Sequence, residues 1–231
     1  MSDDNSNYGL ILKSLSEKGP LKLNVIQRTK EAFKLLKSVL KKIESELNLA
    51  MAKVDNRIQV SFMERGPFDL ELKIADDILI FSMHSNVYTF DESHSIHKTG
   101  YLKSNPANGF CGMISVYNFL TDSFQYRRGN DVGYLIARMF VNHENHFFVE
   151  GKRQIGIDFN DFENDIIDEL KIRALVESVV LFSLNFEMQT PPFDKVNVIT
   201  VQEVMDKELA SVVSTGKRLG FRFQSDSDIA G

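Results

Sequence analysis

FCGMISVYNFLTDSFQYRRGNDVGYLIARMFVNHENHFFVEGKRQIG, residues 110–156, is the stretch whose reading decides the fold. Three runs within it, 113–120, 133–141 and 146–150, are dense in ring and β-branched side chains, which suit a pleated, half-buried surface. A polar turn, Asn142 to Asn145, joins the last two, so they read as a hairpin.

Upstream, RIQVSFME (57–64) and FDLELKI (68–74) alternate apolar and polar residues, the pattern of antiparallel strands with one wet face. The break Arg65-Gly66-Pro67 reads as a turn, and DILIFSM (77–83) follows a second turn at Asp76-Asp77. Residues 87–90 extend this meander, and 155–159 read as one further strand. Two segments carry helical spacing instead. Residues 24–53 place Ile26, Phe33, Leu36, Leu40, Ile43, Leu47 and Ala50 on one stripe, with Lys30, Lys34, Lys37 and Lys41 on another. Residues 162–187 repeat Ile166, Leu170, Ala174, Val176, Val179, Val180 and Leu184, behind an acidic first turn. The expected fold is α+β: an antiparallel sheet of about five to seven strands flanked by these two long helices. The order helix, strands, loop, strands, helix resembles sensor folds of the GAF or PAS kind.

One α+β domain over 23–213 is expected between a flexible N-terminal segment, 1–22, and a flexible tail, 214–231. In the first segment a short helix at 8–15 is expected to end at Gly19-Pro20. Residues 196–201 read as a last strand, and Thr200 with Glu203 as a capping box for a helix to residue 213. The polar, Pro- and Gly-containing stretch 91–109 reads as a long loop, either a lid or binding loop or a disordered one.

Net charge is −5, unevenly spread. Residues 23–53 carry seven Lys/Arg against three Glu, and residues 158–208 carry twelve Asp/Glu against four Lys/Arg. The acidic whole makes nucleic acid a poor partner. One cysteine allows no internal disulfide, no run is long enough to span a bilayer, and the N-terminus lacks the order of a signal peptide. A cytoplasmic protein with no membrane association is expected.

Motifs of nucleotide and serine-hydrolase chemistry are absent: no GxGxxG, GxxxxGK or GxSxG occurs. Two histidine pairs at i, i+3 spacing, His94/His97 and His143/His146, are the candidate metal ligands, with Glu92 or Glu144 as a carboxylate and His84 as a fifth imidazole. Asp55 with Glu71 and Lys73 has the layout of a metal-dependent nuclease, but in the context of a tight turn these strand residues read as a solvent face. Asp158, Asn160, Asn164 and Glu169 fail the calcium-loop scheme at Phe162 and Glu163. Cys111 reads as a buried structural cysteine. Arg127, Arg128, Lys152 and Arg153 sit at strand ends and, if those ends adjoin, form a cationic rim for an anionic ligand or acidic partner.

The functional expectation is a non-enzymatic binding or interaction module, self-associating through its long N-terminal helix or bound to a protein partner, and using no cofactor. The alternatives are a metal-dependent hydrolase or nuclease using the histidines, and a subunit of a larger assembly.

Overall fold

A six-stranded antiparallel sheet in the strand order of the sequence organises the protein. The computed structural model describes residues 6–152 and 155–186, with positions 192–193, 198 and 200–202 beyond them. The strands are β1 (Val60–Glu64), β2 (Asp69–Ile74), β3 (Asp77–Met83), β4 (Cys111–Leu120), β5 (Tyr134–Asn142) and β6 (Phe147–Gly151). Consecutive strands pair throughout, as short connections favour. The turns are tight: Ala75 and Asn145 take left-handed conformations at φ 51° and 68°.

Two long helices lie on one face of the sheet. Helix α1 (Asn7–Met51) is 45 residues long, and α5 (Glu169–Leu184) packs beside it. The α1 stripe that meets the sheet is Val25, Thr29, Ala32, Phe33, Leu36, Val39, Leu40 and Ile43, against Leu70, Leu72, Leu79, Phe81, Ile114, Val116, Met139 and Val141. Each such fully buried aliphatic or aromatic side chain contributes about 1.5–3 kcal/mol. Arg173 of α5 reaches Glu46 of α1 at 3.0 Å and 2.5 Å, and Lys42 pairs with Glu169. Helix α1 also bonds to β1 directly. Asn48 accepts from Val60 N at 2.8 Å and donates to Val60 O at 2.7 Å, while Glu44 accepts from Phe62 N at 2.8 Å.

The other face is covered at one end by residues 84–110, which are built and packed. Their ordered pieces are a 3-10 turn at Ser95–Lys98, α2 (Gly100–Ser104) and a second 3-10 turn at Pro106–Gly109. Ile96, Tyr101 and Leu102 bury against Cys111, Phe140, Phe148 and Phe162. Of the 87–90 extension only one bridge forms, Tyr88 to Cys111. After β4, α3 (Thr121–Gln125) leads to β5.

Several expectations are corrected. Gly19-Pro20 does not end a helix; α1 runs through it. A residue before proline is kept out of the α region chiefly by its own Cβ, and Gly19 has none. Residues 155–159 form no strand: Ile155–Asp158 is a one-turn helix, α4, which brings Ile155 against Gly151. The second long helix starts at Glu169, because Asp168 caps it by accepting from Lys171 N at 2.8 Å. Phe162 instead enters the aromatic cluster, and Ile166 bridges to His146. Glu71 is not on a solvent face: it is 5% exposed beneath Arg65, whose guanidinium lies 4.4 Å above the Phe124 ring. The expected strand at 196–201, the helix to 213 and the tail 214–231 lie wholly or mostly outside the described residues.

Candidate functional site

The α1 helix outruns the sheet. Its first buried residue is Val25, so residues 7–24, about 27 Å of helix, project from the body as an arm. Ser6 caps it, accepting from Gly9 N at 3.0 Å. At about 100° per residue, Tyr8, Ile11, Leu12, Leu15, Gly19, Leu23 and Ile26 share a face about 120° wide, on which Lys22 is the one charged residue. This face is uncovered: Tyr8 is 67% exposed, Leu15 63% and Leu23 67%. Lys13, Glu17 and Asn24 lie on the opposite side. A Cβ at Gly19 would meet none of the described residues within 4 Å, so it is the following Pro20, not crowding, that calls for glycine there.

At the root of the arm the stripe runs into a cleft of about 110 Å³ between α1 and the chain leaving β3. Ile26, Phe68 and Met83 form its apolar wall, with Lys30 and His84 at its edge. His84 accepts from Asn86 N through Nδ1 at 3.2 Å, which puts the neutral ring's proton on Nε2. Gly112 closes the floor against Thr29. The cleft suits a ring with a polar tip. The arm was concealed in the sequence by the Gly-Pro pair, yet its three-and-four spacing continues from Tyr8 into Ile26 and Phe33.

Three of the four candidate metal ligands, His94, His97 and His146, have other partners. His94 bonds through Nε2 to Glu150 at 2.8 Å, and Glu150 also holds Arg138. His97 bonds to the Phe90 carbonyl at 3.3 Å, and His146 to the Phe162 carbonyl at 3.1 Å while stacking on Tyr101. Among the described residues no three His, Cys, Asp or Glu side chains are grouped as a metal would require. Tyr101 donates to Glu144 and accepts from Asn142 at 2.8 Å; burial and the Glu144 bond hold its phenol protonated far above the usual range. Burial likewise pushes the Cys111 thiol up, away from nucleophilic chemistry. Asp55 is engaged by Arg57, and Glu169 by Lys42.

His143 is pushed below the ordinary imidazole range, first by burial, with Arg28 adding to this and Glu144 opposing it. Its Nδ1 is buried with no partner among the described residues. A folded-state value below the unfolded one means that the unfolded chain binds more protons below about pH 6.5. Stability is therefore expected to fall as pH drops through that window. In His143→Gln that part of the slope is expected to vanish in urea melts at pH 5 and pH 7.5; an unchanged slope would remove His143 as its cause.

The expected rim is partly placed. Arg127, exposed and left-handed at φ 52°, and Arg128, 5.2 Å above the Tyr126 ring, belong to the turn before β5. Lys152 follows β6 at the same end of the sheet; Arg153 lies outside the described residues. Lys152 lines a small cavity with Asn118, Tyr134, Ile136, Phe182 and Phe186. Its volume of about 10 Å³ is that of one water molecule, too small for an organic ligand.

No helix among the described residues is long and apolar enough to cross a membrane. No protein-family model, curated protein or solved structure matches this chain.

Proposed function

We propose that this protein is a non-enzymatic interaction module whose contact surface is the projecting arm of α1. One observation carries the reading: an apolar stripe on a helix that its own body leaves uncovered. An 18-residue helix standing in water is marginal. This one also contains Gly19, which costs about 1 kcal/mol against alanine, and Pro20, which costs about 3 kcal/mol. A partner that covers the stripe supplies what the arm lacks. Five exposed large side chains of the stripe, Tyr8, Ile11, Leu12, Leu15 and Leu23, at about 1.5–3 kcal/mol each when fully buried, outweigh those costs.

The reading needs no cofactor, and the acidic charge of the chain disfavours nucleic acid as the partner. A cytoplasmic location accords with the single unpaired, buried Cys111. The turn bearing Arg127 supports a second contact, with an acidic partner, through its charge and exposure; Arg127→Glu tests it by weakening that contact in a salt-dependent manner.

The arm is tested with a photoreactive side chain placed in the full chain, in its native cells, at Leu12 or at Glu17. Discrete protein adducts from position 12 and none from position 17 are expected. Equal behaviour of the two faces would refute the reading.

A further inference from the structure

We infer that the arm's partner is the arm of a second copy of this chain, laid antiparallel, with Leu15 of each helix packed over Gly19 of the other. The inference rests on the interaction-module reading and names its partner. The stripe is self-complementary about Glu17. In the register that sets Leu15 against Gly19, Ile11 meets Leu23 and Tyr8 meets Ile26. Leu12 meets Lys22, whose aliphatic stem can lie along it, and each of the other large side chains has a glycine or an apolar side chain opposite it. The register places Gly19, which Pro20 calls for within the helix, at the closest approach of the two arms. No described residue approaches the space a Cβ would fill at this glycine. A close helix crossing favours it, because it lets the two backbones approach.

Length agrees with the pairing. The arm tip, Asn7, falls opposite Gln27, just past Val25, where the body begins, so the overlap uses the whole exposed stripe. The register also brings Tyr8 to the cleft beside Ile26 and Met83 of the other copy. The apolar wall there takes the ring, and His84 and Lys30 at the edge face the phenol oxygen. Two such arms, each offering half the surface of a helix about 27 Å long, bury roughly 900 Å² together. That lies in the range of weak, specific interfaces, and the two Tyr8 contacts add to it. The dimer is therefore expected to dissociate at micromolar concentration.

Sedimentation of the full chain, 26.4 kDa, is expected to show a concentration-dependent shift toward twice that mass. In a Pro20→Ala background, which lifts the constraint on residue 19, Gly19→Leu is expected to weaken association at least tenfold while raising helix content, since leucine favours a helix more than glycine does. Leu15→Ala/Gly19→Leu in that background, which exchanges the large and small positions, is expected to recover association to within about threefold of the Pro20→Ala chain. A photoreactive side chain at position 23 is expected to give dimers whose adduct maps to residues 8–12.

An adduct mapping to 19–26 would overturn the antiparallel pairing, as would a Gly19→Leu/Pro20→Ala chain that associates like Pro20→Ala alone. A chain that stays monomeric in solution, and whose position-23 probe captures a different protein in cells, would overturn self-pairing and leave the interaction module standing. No adduct from position 12 or 23 under either condition would take both.

Discussion

Gly112→Ala is expected to destabilise the protein by about 3 kcal/mol or more, at the upper end of what overpacking costs. Gly112 is where β4 passes beneath α1. A Cβ built there lies 2.8 Å from both Cβ and Cγ2 of Thr29 and still nearer its Oγ1. Rotating the threonine does not relieve this, because its Cβ is itself in the way. Thr29 is 2% exposed, and its hydroxyl donates to the Val25 carbonyl at 2.7 Å. The helix must therefore lift, and neighbouring contacts of α1 with the sheet loosen with it. Urea unfolding of Gly112→Ala, Thr29→Ala and the double variant separates the pair. Thr29→Ala removes two of the three clashing atoms, so the double variant is expected to be less than additive by at least 1 kcal/mol. A Gly112→Ala chain within about 0.5 kcal/mol of the parent would show that the helix yields freely there.

Asn142→Ala is expected to cost about 3 kcal/mol, from unmade hydrogen bonds. Asn142 is fully buried at the end of β5. Its Oδ1 accepts from the backbone N–H groups of Glu144 and His146, both at 3.0 Å, and its Nδ2 donates to the Tyr101 hydroxyl. The side chain thus closes the β5–β6 turn and ties it to α2. Alanine leaves both amides without that acceptor. Hydrogen exchange at Glu144 and His146 is expected to quicken more than at Met139, in mid-strand. Uniform quickening would mean that the amide side chain stabilises the fold generally and has no particular hold on the turn.

The sheet was legible because its information is local. Strands 57–64 and 68–74 alternate over short spans, 77–83 is a short apolar run, each pairs with its neighbour in sequence, and the turn residues stand between them. Periodicity revealed the buried stripe of α1, Phe33 to Ile43, but only part of that of α5: Val176, Val179 and Val180 are buried, whereas Leu170, Ala174 and Leu184 are exposed and Ile172 and Leu175 face the core in their place. What was hidden depends on contacts distant in the chain. Nothing local pairs Gly112 with Thr29, or His94 with Glu150, 56 residues on. The i, i+3 spacing of the histidines implied proximity within each pair, but the rings of His94, His97 and His146 each turn to a different partner. In 91–109, three buried hydrophobic residues among polar ones, Ile96, Tyr101 and Leu102, are too few to show a pattern. At Gly19-Pro20 the rule for proline was applied without the exception its neighbour makes, and the arm stayed divided.

The bonds from α1 to β1 have a further meaning. A strand at the border of a sheet offers a row of unsatisfied backbone groups, onto which another chain can be added. Here Asn48 and Glu44 occupy that row at Val60 and Phe62, as a seventh strand would. At the opposite border, the amides of Phe147 and Val149 donate to the carbonyls of Asp165 and Phe159 at 2.9 Å and 2.7 Å. Both margins are thus closed to strand addition by the chain's own atoms, a safeguard against fibrillar growth. Opening one of them, as Asn48→Ala would, invites polymerisation along the sheet, a route quite separate from association through the arm.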